Sequence, residues 1–116
     1  MALVEISQRQ GRVPVTVFQL QERIHLGNFS EFEGIAKQAC DNGASNLIID
    51  LSRTESLTSI GLRALVVIHK MLPKDDRQKH LKITGVTTVM REIMQVTGIS
   101  HFIDIHDTVD EAVAAF

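Results

Sequence analysis

The chain has 116 residues, 44% hydrophobic and 22% charged, with a formal net charge of −2. That mixture is too apolar for a disordered segment, and it carries no single-sign excess to draw the chain onto nucleic acid or an anionic membrane. Its length suits one compact domain with a core of its own.

Apolar periodicity divides the chain into short strands alternating with amphipathic helices. Leu3–Ile6 predicts a short first strand, and the polar Gln8–Arg12, with Gly11 inside it, predicts a turn. Val13–Leu20 follows as a second strand, with Pro14 at its start because proline has no N–H for a ladder. Asn28 is the expected cap of a first helix, with Glu31 in capping-box relation. Phe29, Phe32, Ala36, Ala39 and Cys40 make its apolar face, and Asn42-Gly43 its stop. Asn46–Leu51 is apolar and β-branched, as a buried central strand is. A second helix begins at Thr58 or Ser59 and runs to Leu72, before Pro73; a polar link over Lys74–His80 leads to a strand at Leu81–Thr84. A third helix over Thr87–Thr97 carries the stripe Val89, Met90, Ile93 and Met94, and ends at Gly98, with Ile99 folding back. Phe102–Ile105 is the last strand, and Thr108, with Glu111 three residues on, caps a helix faced by Val109, Ala112, Val113 and Phe116. The order β-β-α-β-α-β-α-β-α predicts an α/β domain spanning 1–116, with about five strands in a mixed, mostly parallel sheet, four helices, and a hairpin for the first pair.

The inventory of reactive groups is thin. Of the five histidines, none stands at metal-ligand spacing from another histidine or a cysteine, so no metal or cofactor site is expected. Cys40, on the apolar stripe of the first helix, reads as an inert thiol and has no partner for a disulfide, which suits a reducing, cytoplasmic setting. Gly61, Gly85 and Gly98 are isolated and build no phosphate loop; Leu57 stands where a nucleophile elbow at Ser59 needs glycine. No catalytic residue can be named. The opening Met1–Ile6 is short and carries Glu5, unlike a secretory leader, and no apolar run approaches the roughly 20 residues of a membrane span. The most basic stretch, Lys74–Lys82, is interrupted by Asp75 and Asp76 and reads as a solvated loop.

One segment stands apart. Asp50-Leu51-Ser52 ends the central strand, a polar loop comes next, and Thr58-Ser59-Ile60-Gly61-Leu62-Arg63 opens the second helix. Thr and Ser there are good N-caps, and the free N–H groups of a helix start attract anions. The second helix is apolar nearly all round, so a single sheet face predicts that Leu57, Ile60 and Leu62 are left partly exposed beside the hydroxyls. Gly61 costs about 1 kcal/mol against alanine in a helix, which asks for a close approach or tight helix–sheet packing.

The Asp50–Leu65 segment resembles the signature of STAS domains, in which Asp-Leu-Ser and a loop precede Ser-Ser/Ala-Gly-Leu. Asn46–Leu51 as central strand, Val89–Ile99 as a helix end in Thr-Gly-Ile, and the closing helix from Thr108 agree with it, so that the likeness covers the chain from about Val15 onward. The resemblance implies a protein-binding module of the anti-sigma factor antagonist type, not an enzyme. It implies phosphorylation at Ser59 by a partner that is both an anti-sigma factor and a serine kinase of the histidine-kinase-like ATPase type. Thr58 stands where the family often has Asp or Ser, and is left as a second candidate acceptor. The family's Gly-x-Leu-Asp after the second strand appears as Glu22-Arg23-Ile24-His25, which keeps the apolar position alone. The binding surface so implied is Leu57, Thr58, Ile60, Gly61, Leu62 and Arg63. A second reading is a docking module without a switch, in a larger signalling or lipid-transport assembly.

Overall fold

Leu47, Ile48, Ile49 and Asp50 are buried on both faces of the strand they form, and the rest of the chain is laid around them. A computed structural model describes residues 2–74 and 79–116. The strands are β1 (Val4–Gln10), β2 (Pro14–Leu20), β3 (Leu47–Asp50), β4 (Leu81–Thr84) and β5 (Asp104–His106). The helices are α1 (Phe29–Asp41), α2 (Ser59–Met71), α3 (Thr88–Val96) and α4 (Val109–Ala114), with a 3₁₀ turn at Ile99–His101. The five strands lie side by side in chain order, β1 antiparallel to β2 and the others parallel, with β3 in the middle.

The two-residue period of each strand sorts its side chains between two layers. Phe18, Leu20, Leu47, Ile49, Leu81 and Ile83 face α1, α2 and α3, where they join Phe32, Ala36, Leu65, Ile68, Met90 and Met94 in the main core. Val15, Val17 and Ile48 face the other way, into a smaller cluster closed by Ala112, Val113 and Phe116 of the C-terminal segment. Lys82 also points to that side, 3% exposed. Its ammonium lies 4.7 Å from the centre of the Phe116 ring and 2.9 Å from the Asp104 carboxylate, which also meets Lys79.

Several expectations need correction. β1 runs on to Gln10, through residues read as a turn, because Gln8, Arg9 and Gln10 pair with Thr16, Val15 and Pro14; the polar stretch is a solvent-facing ladder. The capping box at the first helix does not form, since the Asn28 amide is engaged in the preceding loop: its Oδ1 accepts from the His25 N–H, and its Nδ2 donates to Glu22 and the Arg23 carbonyl. The last strand begins at Asp104, because the Phe102 and Ile103 N–H groups are turned back to the Ile99 carbonyl of the 3₁₀ turn. Val89, on the predicted stripe, is 64% exposed, because Met90 and Met94 alone complete the core contact of α3. The polar link over Lys74–His80 falls largely on residues 75–78, outside the described residues. The cap at Thr108 and Gly98 at φ 84° agree with the sequence pattern, and Thr87, placed by that pattern inside the third helix, is its N-cap.

Burial raises the Asp104 carboxyl, but hydrogen bonds and charge from Lys82 and Lys79 outweigh it and hold the group below its ordinary value of 3.8. A carboxylate so lowered contributes stability above its ordinary value and loses it as pH falls through the lowered one. Asp104→Asn should therefore flatten the acid limb of a stability–pH profile. At neutral pH it should cost roughly 2–3 kcal/mol: Asp104 is partly open to water, but the substitution leaves the buried Lys82 ammonium without its counter-charge. Urea unfolding across the acid range measures both.

Candidate functional site

β3 ends in Asp50, and the course of the loop beyond it is fixed by that carboxylate. It is 6% exposed and accepts from Gln19 Nε2 of β2 at 3.1 Å, Thr84 Oγ1 of β4 at 3.2 Å, and the Ser52 N–H and Oγ at 3.2 and 2.9 Å. Gly85, directly after β4, passes so close that a Cβ would lie 2.5 Å from Asp50 Oδ1 and 2.6 Å from the Ser52 nitrogen; its φ of 74° also favours glycine. Thr54 then returns its N–H and hydroxyl to the Leu51 carbonyl, at 3.0 and 2.9 Å. The loop therefore leaves the carboxyl ends of the parallel strands by a fixed route, at the edge where open α/β sheets place their sites.

The route ends at two adjacent hydroxyls in different circumstances. Thr58 is the N-cap of α2: its Oγ1 accepts the Gly61 N–H at 2.9 Å and donates to the Ile24 carbonyl at 2.6 Å. Ser59, the first helical residue, is exposed, and its hydroxyl makes no hydrogen bond among the described residues. Gly61 is buried, and a Cβ on it would meet Leu57 Cδ1 at 3.0 Å and Ile24 Cβ at 3.6 Å, so an internal close approach accounts for the glycine. Arg63 is exposed one turn along from Ser59.

Leu57, Ile60 and Leu62 are half-buried, packed against the main core. The partial exposure expected at this helix start is therefore met, although α2 packs on α1 as well as on the sheet. The loop whose Ile24 holds Thr58 also carries Leu26, 75% exposed. Sequence reasoning did not single out Leu26, nor the tie from Ile24 to Thr58, which joins residues 34 apart by a backbone atom. Gly85 and Thr84 were also missed; an isolated glycine after a strand was the only signal.

Elsewhere, Cys40 is half-buried; burial, and then the charge of Asp41, pushes its thiol up, away from the reactive thiolate. Burial, followed by the charges of Lys74 and Lys70, lowers His69, which stacks on Phe102 with ring centres 4.9 Å apart. Among the described residues no group of three or more His, Cys, Asp or Glu converges as a metal site would, and no helix is long and apolar enough to cross a membrane.

The profile of the STAS domain family matches residues 6–112. The protein BtrV of Bordetella bronchiseptica, assigned as an anti-sigma factor antagonist, is 25% identical over 97 residues, 84% of this chain and 82% of its own. Among solved structures, an anti-sigma factor antagonist (STAS) domain protein from Planctomyces limnophilus superposes with a TM-score of 0.80 at 24% identity, covering 99% of this chain and 98% of that one. The Bacillus cell fate determinant SpoIIAA in its phosphorylated form gives 0.64 at 14% identity, covering 94% and 96%. At these identities the structural likeness establishes the shared fold.

The neighbouring hydroxyls should respond differently to truncation. Thr58→Val removes the cap acceptor and the donor to Ile24, and should cost about 1–2 kcal/mol in urea unfolding. Ser59→Ala should stay within about 0.5 kcal/mol of the native chain.

Proposed function

This chain belongs to the STAS domain family, and from that premise we propose that it acts as an anti-sigma factor antagonist, a cytoplasmic protein-binding module without catalytic activity. It docks through the start of α2 on an anti-sigma factor and lets go when Ser59 is phosphorylated. The observation that carries this reading is the division of labour at the helix start. Thr58 holds the cap and the Ile24 tie, while Ser59 stands exposed on a helix N-terminus. A kinase can reach the exposed Ser59 without breaking a side-chain hydrogen bond among the described residues, whereas modification of Thr58 would disturb two.

The energetics favour a switch in binding over a switch in folding. A phosphoserine carries about −1.5 to −2 charges at neutral pH. Beside the free N–H groups of α2 that charge is favourable by roughly 0.3–1 kcal/mol. Arg63, one turn on, is placed to meet it as well. The same charge taken into an apolar interface costs far more. Leu26, Leu57, Ile60 and Leu62 supply the apolar part of such an interface, with Arg63 at its rim. The partner this calls for is an anti-sigma factor that is itself a serine kinase of the histidine-kinase-like ATPase type.

Incubation with that kinase and ATP, then peptide mass spectrometry, should place one phosphate on Ser59. Phosphate on Thr58 would overturn the assignment of the acceptor, and none at all would favour a docking module without a switch. Ser59→Asp should keep its melting temperature and lose affinity in titration calorimetry, while Ser59→Ala should keep binding. Leu62→Gln, at a half-buried position, should cost about 1 kcal/mol of stability and, as an interface contact, at least about tenfold in affinity.

A further inference from the structure

β1 ends the sheet with a seven-residue strand whose outer edge no other strand covers among the described residues. Its free edge has a definite composition. The Gln21 N–H donates to the Leu3 carbonyl, and antiparallel ladders alternate, so Glu5, Ser7 and Arg9 turn their backbone groups toward β2. Val4, Ile6, Gln8 and Gln10 therefore turn their N–H and C=O groups outward. An edge of this length is a template for another strand, and natural proteins usually blunt such edges by charge, proline or a bulge. β1 contains neither proline nor a bulge. Its two charges are of opposite sign, at equal distances on either side of Ser7, the middle residue of the strand.

From this arrangement we infer that β1 is the interface of a symmetric homodimer, in which it pairs antiparallel with its counterpart about Ser7 to give a continuous ten-stranded sheet. This goes beyond the reading of α2 as a docking site and does not depend on it. Pairing about Ser7 engages all seven residues and sets Glu5 against Arg9 of the second copy, and Arg9 against its Glu5. Val4 and Gln10 then face one another, as do Ile6 and Gln8, and these are the pairs that exchange backbone hydrogen bonds. Ile6, 52% exposed in the monomer, comes within reach of the second Ile6 on the diagonal. Shifting the register by two residues in either direction loses both ion pairs and leaves two residues unpaired. Within the monomer Arg9 is paired with Asp110 on α4, but both groups are substantially exposed, so that contact is readily shared or exchanged. The occupant is thus a second copy of this chain, because the charge pattern along the edge complements itself. An edge-strand contact of this size predicts a weak dimer that dissociates on dilution.

Sedimentation velocity on the full chain tests the register through charge reversal. The native chain should show a concentration-dependent monomer–dimer equilibrium. Glu5→Arg alone sets Arg against Arg at both ends of the interface, and Arg9→Glu alone sets Glu against Glu, so each should weaken dimerisation roughly tenfold to thirtyfold. An equimolar mixture of the two variants restores opposite charges at both ends and should dimerise as well as the native chain. Both positions are exposed, and circular dichroism checks that each variant folds. As a second arm, Ser7→Cys in a Cys40→Ser background should give a disulfide dimer under mild oxidation, because Ser7 would face its counterpart in a close pair with Cα atoms about 4.5 Å apart. A native chain that stays monomeric at high concentration would overturn the inference. So would single variants that dimerise as well as the native chain, a mixture that fails to recover, or a Ser7→Cys variant that stays reduced.

Discussion

The Asp50 carboxylate draws together β2, β4 and the loop that leaves β3, through Gln19, Thr84 and Ser52. A buried charge is tolerated only when its lone pairs are met, and each hydrogen bond to a charged group contributes about 1.5–3 kcal/mol. Gly85 is the complement of that demand. The chain leaving β4 must pass within contact of both Asp50 and Ser52, at a positive φ, and any side chain there would push the loop away from the carboxylate. The position of Ser59 thus depends on Asp50 through the loop and the cap at Thr58.

In the proposed switch, a modifiable hydroxyl next to a structural one separates two tasks that a single residue would combine. Thr58 is tied both to its own helix and to the loop after β2, so its loss is felt in the fold. Ser59 is held in place by its neighbour's contacts and contributes none among the described residues. The half-buried Leu57, Ile60 and Leu62 are held by the core on one side and open on the other. In the proposed docking, that keeps the surface ordered before the partner arrives and lowers the entropy cost of binding.

The two faces of the sheet are unequally covered. Among the described residues, three helices close one side, and the short α4 with Phe116 closes the other. On that thinner side the buried Lys82 is accommodated by Asp104 and by the ring of Phe116. A lysine ammonium is costly to bury unpaired, so the last residue of the chain has an electrostatic as well as a packing role. α4 packs on β3, β4 and β5. β1 lies at the end of the sheet, tied to α4 through the Arg9–Asp110 pair, and its outer edge has no strand partner among the described residues.

The order of elements, the hairpin at the start, the buried central strand and the caps at Thr58 and Thr108 were legible because each is a local pattern. Period two, period 3.6 and a hydroxyl three residues before a free N–H all lie within a few residues of one another. The Asp50–Leu65 segment was legible for the same reason: strand end, loop and helix start are contiguous. What the sequence could not decide were the contacts between elements. The polar end of β1 is a strand because β2 lies beside it, and the Asn28 side chain is taken by Glu22 and Arg23 before it can cap α1. α1 packs against α2, a contact that neither helix's own periodicity specifies. Only the folded chain brings Ile24 to Thr58, or Gly85 to Asp50, across 34 and 35 positions, because such partners are selected by proximity in space, which no local periodicity encodes.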